Sequence, residues 1–446
     1  MSYVVPSMML VALAAGIFSG YPVALLLGGL SVIFMVVGDV PMTSFLLVVS
    51  RVFGAVLENW ILAAIPLFIF MGIMLEKSKV AASLLTELEA MFGNRAGGLG
   101  LAVIVIGIIM AASTGIIGAS VVLMGSLALP MMLKQGYDKP VAIGTILGSG
   151  TLGILIPPSI MLVVFGDIMQ VPIGDLFAAA LFPGLLLGGL YAAYIVFLAL
   201  VRPARVPPSP RTATSSFGAT LLRVLANLIV PALLMSSVLV SIIVGLATPT
   251  EGAAIGALGA LLLALAKGQL SFRVLGESLK ETTLTTAMIL VLAIGATAFS
   301  LVFQRVGGQE MIEDAVGIIG DNAALVLIAI MLIVFVLGFF LEWIEISFLV
   351  LPLFTPIVAG LDFGSGFAHS GEVLIWFAVL MAVNLQTSFL TPPFGYALFY
   401  LKGIAPPEVS TADIYRGVTP VVVMQLLGLL LVALFPALAL WLPSKL

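Results

Sequence analysis

The sequence contains no cysteine and one histidine among its 446 residues. A chain without cysteine can form no disulfide, thiolate metal site or cysteine nucleophile. It also carries no His-Glu-x-x-His, Gly-x-Ser-x-Gly or Walker lysine motif, so zinc proteolysis, serine hydrolysis and ATP-driven pumping are not encoded here. We therefore predict that the protein is not an enzyme and holds no cofactor.

Charged residues are also scarce. They make up 9% of the chain and hydrophobic residues 62%, whereas a soluble domain carries about 25% charged residues. Long uncharged runs cover 1–38, 96–133, 140–166, 176–201, 224–250, 282–304, 373–401 and 417–444. Each of these runs is longer than the roughly 20 residues that a helix needs to cross a bilayer. Because these runs are continuous and do not alternate, we predict an all-α polytopic membrane protein. The net charge of −4 gives no indication of a nucleic-acid partner.

Two double prolines interrupt these apolar runs, Pro157-Pro158 and Pro392-Pro393, and they lie 235 residues apart. A helix cannot pass intact through such a pair, because proline has no N–H and clashes with the preceding turn. We predict broken helices at about 140–170 and 373–405. Paired breaks in two halves of a chain indicate the ion and substrate site of a transporter.

The freed backbone at each break predicts the ligands. The carbonyls of Gly153, Ile156, Ser388 and Thr391 are expected to lose their helical donors. Clustered carbonyl and hydroxyl oxygens suit a hard monovalent cation. The alternative is a pair of kinked structural helices whose neighbours satisfy the backbone.

The chain divides into two halves that follow one plan. Residues 202–216 are polar, basic and free of acidic residues, which predicts a cytoplasmic linker between a first half, 1–201, and a second half, 217–446. Each half has scaffold spans, an amphipathic arm (roughly Glu76–Arg95 and Ser271–Thr282), a marked segment, a broken helix and a closing span.

Loop charges indicate that the two halves are inverted. The loop after the first marked segment holds Lys134 and Lys139 against Asp138, whereas the equivalent second loop holds Asp362, His369 and Glu372 and no Lys or Arg. Basic loops favour the cytoplasm, so equivalent loops are expected on opposite faces.

The first marked segment contains Ser113, Thr114 and Ser120 between apolar flanks. Its uncharged run is too long for one span, so we predict a re-entrant helical hairpin at about 112–133 with its tip in the membrane. Ser113 and Thr114 are candidates for the substrate cavity, as is Ser149 on the broken helix. The alternative is close helix packing through small residues.

The second marked segment predicts another hairpin at about 339–360. Glu342 and Glu345 lie one turn apart in an apolar region, and carboxylates within a membrane indicate function. We expect Glu342 to orient a helix end and Glu345 to line the cavity, together with Thr387. The alternative places both glutamates in solvent at the membrane interface.

Together these motifs resemble the large membrane subunit of tripartite ATP-independent periplasmic (TRAP) transporters, the DctM family. The resemblance covers nearly the whole chain. The motifs that carry it are Gly20–Leu25, Ile65–Gly72, Pro130–Asp138, Gly150–Ser159 and Asn384–Gly395.

The resemblance implies a secondary transporter of the bacterial inner membrane that works by an elevator mechanism. It implies a four-helix small subunit (DctQ type), a periplasmic substrate-binding protein (DctP type), an organic acid substrate and coupling to sodium. The positions that fit the family's first sodium site are Ser120, Gly153, Ile156 and Pro158. Those that fit the second sodium site are Gly338, Ser388, Thr391 and Phe394.

The sequence departs from the family pattern at Ala119, Ser388 and Glu342, where many relatives have serine, glycine and aspartate. Neither marked segment carries a basic residue for a substrate carboxylate. Three alternatives remain: a self-sufficient ion-coupled carboxylate carrier of related fold without a binding protein, an intramembrane enzyme that uses Glu342 and Glu345, and a passive channel.

Overall fold

The structure is a computed structural model, and it describes residues 3–41, 43–92, 95–114, 117–208, 217–320, 322–364, 366–392 and 395–446. All regular secondary structure in these ranges is helical, which confirms the predicted class. Helices long and apolar enough to cross a membrane are Trp60–Lys77, Ile117–Lys134, Ile173–Val201, Pro249–Ala266, Phe272–Arg305, Ser370–Ser388 and Thr411–Leu434. The chain is a multi-pass membrane protein.

The described residues of the first half contain α1 to α10. These helices are α1 (Val4–Phe18), α2 (Val23–Val37), α3 (Thr43–Val52), α4 (Ala64–Lys77), α5 (Val80–Phe92), α6 (Gly98–Thr114), α7 (Ile117–Lys134), α8 (Lys139–Thr151), α9 (Ile160–Met169) and α10 (Ile173–Val201). Pro22 precedes α2 and Pro172 precedes α10, where a fixed φ and a missing N–H favour a helix start.

The second half contains α11 to α20. These helices are α11 (Phe217–Ile243), α12 (Pro249–Ala266), α13 (Phe272–Arg305), α14 (Gly308–Ile319), α15 (Ala323–Leu337), α16 (Trp343–Ala359), α17 (Ser370–Ser388), α18 (Tyr396–Ile404), α19 (Thr411–Leu434) and α20 (Ala437–Leu440). Side chains of Thr248, Ser271, Asn322 and Ser410 accept hydrogen bonds at the starts of α12, α13, α15 and α19, as N-cap residues do.

α6 and α7 form a helical hairpin, which we call hairpin 1. The Gly100 N–H, near the start of α6, donates to Tyr137 Oη, just beyond α7, at 3.2 Å, so the two helices run antiparallel. The range predicted for this hairpin, 112–133, covers essentially its second arm. The structure adds a first arm of equal length, because Gly98–Thr114 is apolar enough to be taken for an ordinary span.

α15 and α16 form the equivalent hairpin 2. Val326 and Ile330 of α15 line the same apolar cavity as Leu353 and Phe354 of α16, which places the far ends of both arms side by side. The predicted range, 339–360, again covers the second arm, and α15 is the first.

Helices of each half pack against helices of the other half. α7 packs against α18, and α16 packs against α9, so each hairpin covers the distal part of the other half's broken helix. α10 likewise packs against α17, and α19 against α8. This reciprocal packing is what a two-fold relation between repeats produces.

The closing helices show that the repeat is inverted. Near the start of α10, Phe182 packs edge to face on Trp441, which follows the end of α19, with ring centroids 5.5 Å apart. Beyond the other end of α10, Arg205 shares a cavity with Asp413 and Arg416 at the start of α19. Equivalent helices therefore run in opposite directions.

The remaining helices form an outer group around this core. We call α6–α10 with α15–α20 the core group, and α1–α5 with α11–α14 the outer group. Within the outer group α2 packs on α13 and α4 on α12. The first predicted arm contains α5, but the second, Ser271–Thr282, is the start of α13, which continues without a break to Arg305.

Candidate functional site

The first helix break is fully buried. α8 ends at Thr151, and a 3-10 turn at Leu152–Ile154 follows. In a continuous helix the carbonyls of Gly153 and Ile154 would accept from the next two prolines, which have no N–H. The Ser159 hydroxyl donates to Ile154 O at 2.6 Å and so replaces one missing donor. Ser159 donates no hydrogen bond to the carbonyl of Gly153.

Two further predicted ligands lie in the same segment. Ile156 is 4% exposed, and Pro158 is buried beside it. Within the ranges that the structure describes, no donor to the Ile156 carbonyl is found. The first break therefore presents backbone oxygen in a dry environment, where a cation can replace the missing N–H groups.

The second break retains more of its hydrogen bonds than we expected. Ser388 O accepts from the Thr391 N–H at 3.1 Å, and Thr391 O accepts from the Gly395 N–H at 3.0 Å. The prediction of free carbonyls is wrong for Thr391 and only partly right for Ser388, because the backbone here folds into turns. Each carbonyl has a second lone pair that can face a cation. Phe394 lies outside the described residues.

Hairpin 2 meets the second break through Gly338. This residue directly follows α15, and a Cβ there would overlap the hydroxyl and Cβ of Ser388. Only glycine permits such an approach. The structure thus brings together two residues predicted for the second ion site.

Hairpin 1 meets the first break in the equivalent way. Ser120, which is 4% exposed, precedes Val121 on α7. A Cβ on Gly150, one residue before the end of α8, would lie 3.3 Å from Val121 Cα. Hairpin 1 therefore packs on the last turn of α8 at Val121, the residue after Ser120.

The other predicted hydroxyls are bonded within their own helices. Ser149 donates to Ile146 O at 3.1 Å, and Thr387 donates to Val383 O at 2.8 Å. Their oxygens still have lone pairs available for a ligand. Ser113 and Thr114 are the last residues of α6, and their side chains lie outside the described part of the chain.

Both glutamates lie at the start of α16, where Glu342 is the N-cap residue, in keeping with the helix end it was expected to orient. Glu345 Oε2 accepts from the Glu342 N–H at 3.1 Å, so Glu345 caps the same helix end, a role we did not predict. Both side chains are half-buried, and both are close enough to Tyr396 to interact with it electrostatically. The capping spacing, with a carboxylate three residues after the N-cap, was visible in the sequence.

Sequence reasoning missed two features. Tyr396 and Tyr400 of α18 hydrogen bond through their hydroxyls at 2.6 Å, and the Tyr400 ring packs on Gly118 of hairpin 1, 2.8 Å from where a Cβ would lie. Gln386 Nε2 donates to Thr151 Oγ1 at 3.1 Å, across a separation of 235 residues. That separation matches the spacing of the double prolines and was the one available signal.

Residues 10–438 match the family described as "Tripartite ATP-independent periplasmic transporter, DctM component". The chain is 30% identical to the C4-dicarboxylate TRAP transporter large permease protein DctM of Pseudomonas aeruginosa, over 87% of each chain. It is 31% identical to the ectoine TRAP transporter large permease protein TeaC of Halomonas elongata, over 85% of this chain and 86% of that one.

A solved structure shares the fold. The YdaH transporter of Alcanivorax borkumensis superposes with a TM-score of 0.58 at 14% identity, covering 89% of this chain and 90% of that one. At this identity the likeness concerns the fold alone.

Proposed function

The chain belongs to the DctM component family of TRAP transporters, and from this we propose that it couples sodium entry to the uptake of an organic acid. It is the large permease subunit of a secondary transporter. Its curated relatives are named as permeases, and we propose transport without catalysis for this chain as well.

The observation that carries the sodium proposal is the contact of each hairpin with a helix break. Gly338 touches Ser388, and Val121, which follows Ser120, packs on Gly150 just before the first break. The oxygens gathered there are neutral carbonyls and hydroxyls, which suit Na⁺. Ser120, Gly153, Ile156 and Pro158 would hold one ion. Gly338, Ser388 and Thr391 would hold the other, together with Phe394.

We place the organic acid between the two hairpin tips. Tyr396 and Tyr400 lie on α18, between Gly118 of hairpin 1 and the glutamates of hairpin 2, and their hydroxyls can orient a polar substrate. Relatives of nearly equal identity are named for a C4-dicarboxylate and for ectoine. The degree of identity to these relatives therefore does not identify the substrate of this chain, which depends on the residues of its own site.

We propose that the core group slides against the outer group. An apolar cavity of about 530 Å³ separates hairpin 2 from α1 and α14. Every residue that lines it is apolar, so no hydrogen bond or ion pair formed by these side chains has to break when the groups move. This part of the boundary suits an elevator movement across the membrane. Elsewhere the Asn59 amide donates to Asp167 at 2.7 Å and the Gln135 amide donates to Glu89, and these two hydrogen bonds would have to break in the movement.

The family is tripartite by its description, and we propose two partners. One is a four-helix small membrane subunit packed on the outer group, which exposes large apolar side chains such as Leu46, Leu258 and Leu284. The other is a periplasmic protein that delivers the substrate. A small membrane subunit and a periplasmic delivery protein would both require the chain to lie in the bacterial inner membrane.

The test is uptake into proteoliposomes that contain the chain and its small subunit. We expect substrate to accumulate only with an inward sodium gradient and only with the binding protein outside. Accumulation without a sodium gradient would contradict the coupling. Uptake by the chain alone would instead identify a self-sufficient carrier.

A further inference from the structure

Thr151 and Gln386 join the two broken helices at equivalent positions. Their side chains hydrogen bond at 3.1 Å, and both residues have 0% exposed surface. Their separation equals that of the two double prolines, so the bond lies where the two repeats meet. In the described part of the chain it is the only side-chain hydrogen bond between α8 and α17.

Each partner is fixed to the end of its own helix. The Thr151 hydroxyl lies 3.0 Å from Leu147 O and 3.1 Å from Gly148 O, in the last turn of α8. Gln386 lies two residues before the end of α17 and directly precedes Thr387 and Ser388. The bond therefore links the last turn before one break to the last turn before the other.

Fold stability alone does not explain this pair. Gln386 Oε1 is buried and has no hydrogen-bond partner among the residues that the structure describes. An unpaired buried carbonyl destabilises a protein, and two apolar side chains of similar size would pack here without that cost. A role in function accounts for a polar link at this position.

We propose that the Thr151–Gln386 hydrogen bond couples the two breaks, so that an ion at one strengthens ion binding at the other. The inference rests on the proposed sodium sites. An ion that orders the first break fixes Thr151, and through the bond it fixes Gln386. The second ion then binds to a break that is already partly ordered, which produces positive cooperativity.

The test is an equilibrium sodium titration of the full chain, read from its tryptophan fluorescence at constant ionic strength with choline as the replacement cation. Two coupled sites give a Hill coefficient above about 1 and at most about 2. We expect Thr151→Val and Gln386→Leu to lower it to about 1, because each removes the bond. The double variant should lose no more than either single variant.

Matched controls separate coupling from damage to the fold. Thr151→Ser keeps the hydroxyl and should behave as the native chain does. Thr145→Val makes the same change in α8, where the hydroxyl bonds only to Val141 O at 2.8 Å, and should keep the cooperativity. The proposal would be overturned if Thr151→Val kept the native Hill coefficient, or if Thr145→Val lowered the Hill coefficient as much as Thr151→Val does.

The outcomes also separate this inference from the proposed function. A native chain that responds to sodium with a Hill coefficient of about 1 refutes the coupling and leaves the two sites in place. A native chain with no sodium response refutes the ion sites themselves, and the coupling with them.

Discussion

Substitution of Gly338 by alanine should separate hairpin 2 from the second ion site. The added methyl would overlap the Ser388 hydroxyl, and overpacking of this kind costs about 1–3 kcal/mol. We expect hairpin 2 to move away from Ser388 when no ion is bound, so that the strain falls on the ion-bound arrangement. Since 1.4 kcal/mol is a tenfold change in affinity, we expect the Kd for sodium to rise about 5- to 140-fold.

The assay is the Kd for sodium, obtained by fitting the rise in the free energy of unfolding with sodium concentration to RT ln(1 + [L]/Kd) per site. Gly189→Ala is the control, because this helical glycine in α10 has no atom within 4 Å of its Cβ position. Gly338→Ala combined with Ser388→Gly removes the overlapping atoms and should recover most of the affinity. A folded Gly338→Ala variant with native sodium affinity would refute the contact between hairpin 2 and the ion.

Three further predictions concern the elements around the site. Ser159→Ala leaves the buried Ile154 carbonyl without its donor and should lower the free energy of unfolding by about 1–3 kcal/mol; the exposed Ser126→Ala should have little effect in the same denaturation. Glu345→Ala removes the acceptor for the Glu342 N–H and should lower the free energy of unfolding by about 0.5–2 kcal/mol. Glu345→Gln keeps an oxygen and should lower it less, and equal losses of stability in the two variants would argue against capping. Arg205→Ala breaks a partly exposed ion pair with Asp138 at 3.3 Å and should cost at most about 1 kcal/mol, less at high salt.

The helix breaks could be predicted because proline acts locally. α8 and α9 flank the first double proline, and α17 and α18 flank the second, since a proline has no N–H to continue the helix wherever it packs. The inverted repeat was also readable, because lysines and carboxylates mark opposite faces. Both signals come from the residue types at single positions, and they can be recognised without knowing how the helices pack.

The first arms of the hairpins could not be recognised in this way. α6 and α15 are apolar and uncharged, as a simple membrane span is, and only packing against α7 and α16 makes them hairpin arms. The Thr151–Gln386 contact joins residues of distant segments, so no local pattern contains it. Glu345 is different, since its capping spacing was present and we gave it a cavity role instead.

The most direct test of two sodium sites at the helix breaks is a comparison of cations. Thermal unfolding of the purified chain in NaCl is measured against KCl and choline chloride at matched ionic strength. A ligand specific to the folded state adds roughly 1.4 kcal/mol per site at ten times its Kd. We predict a sodium-specific rise in the unfolding temperature that weakens in Ser120→Ala and Thr391→Val variants. Equal unfolding temperatures in sodium and potassium, with the protein well folded, would contradict the account.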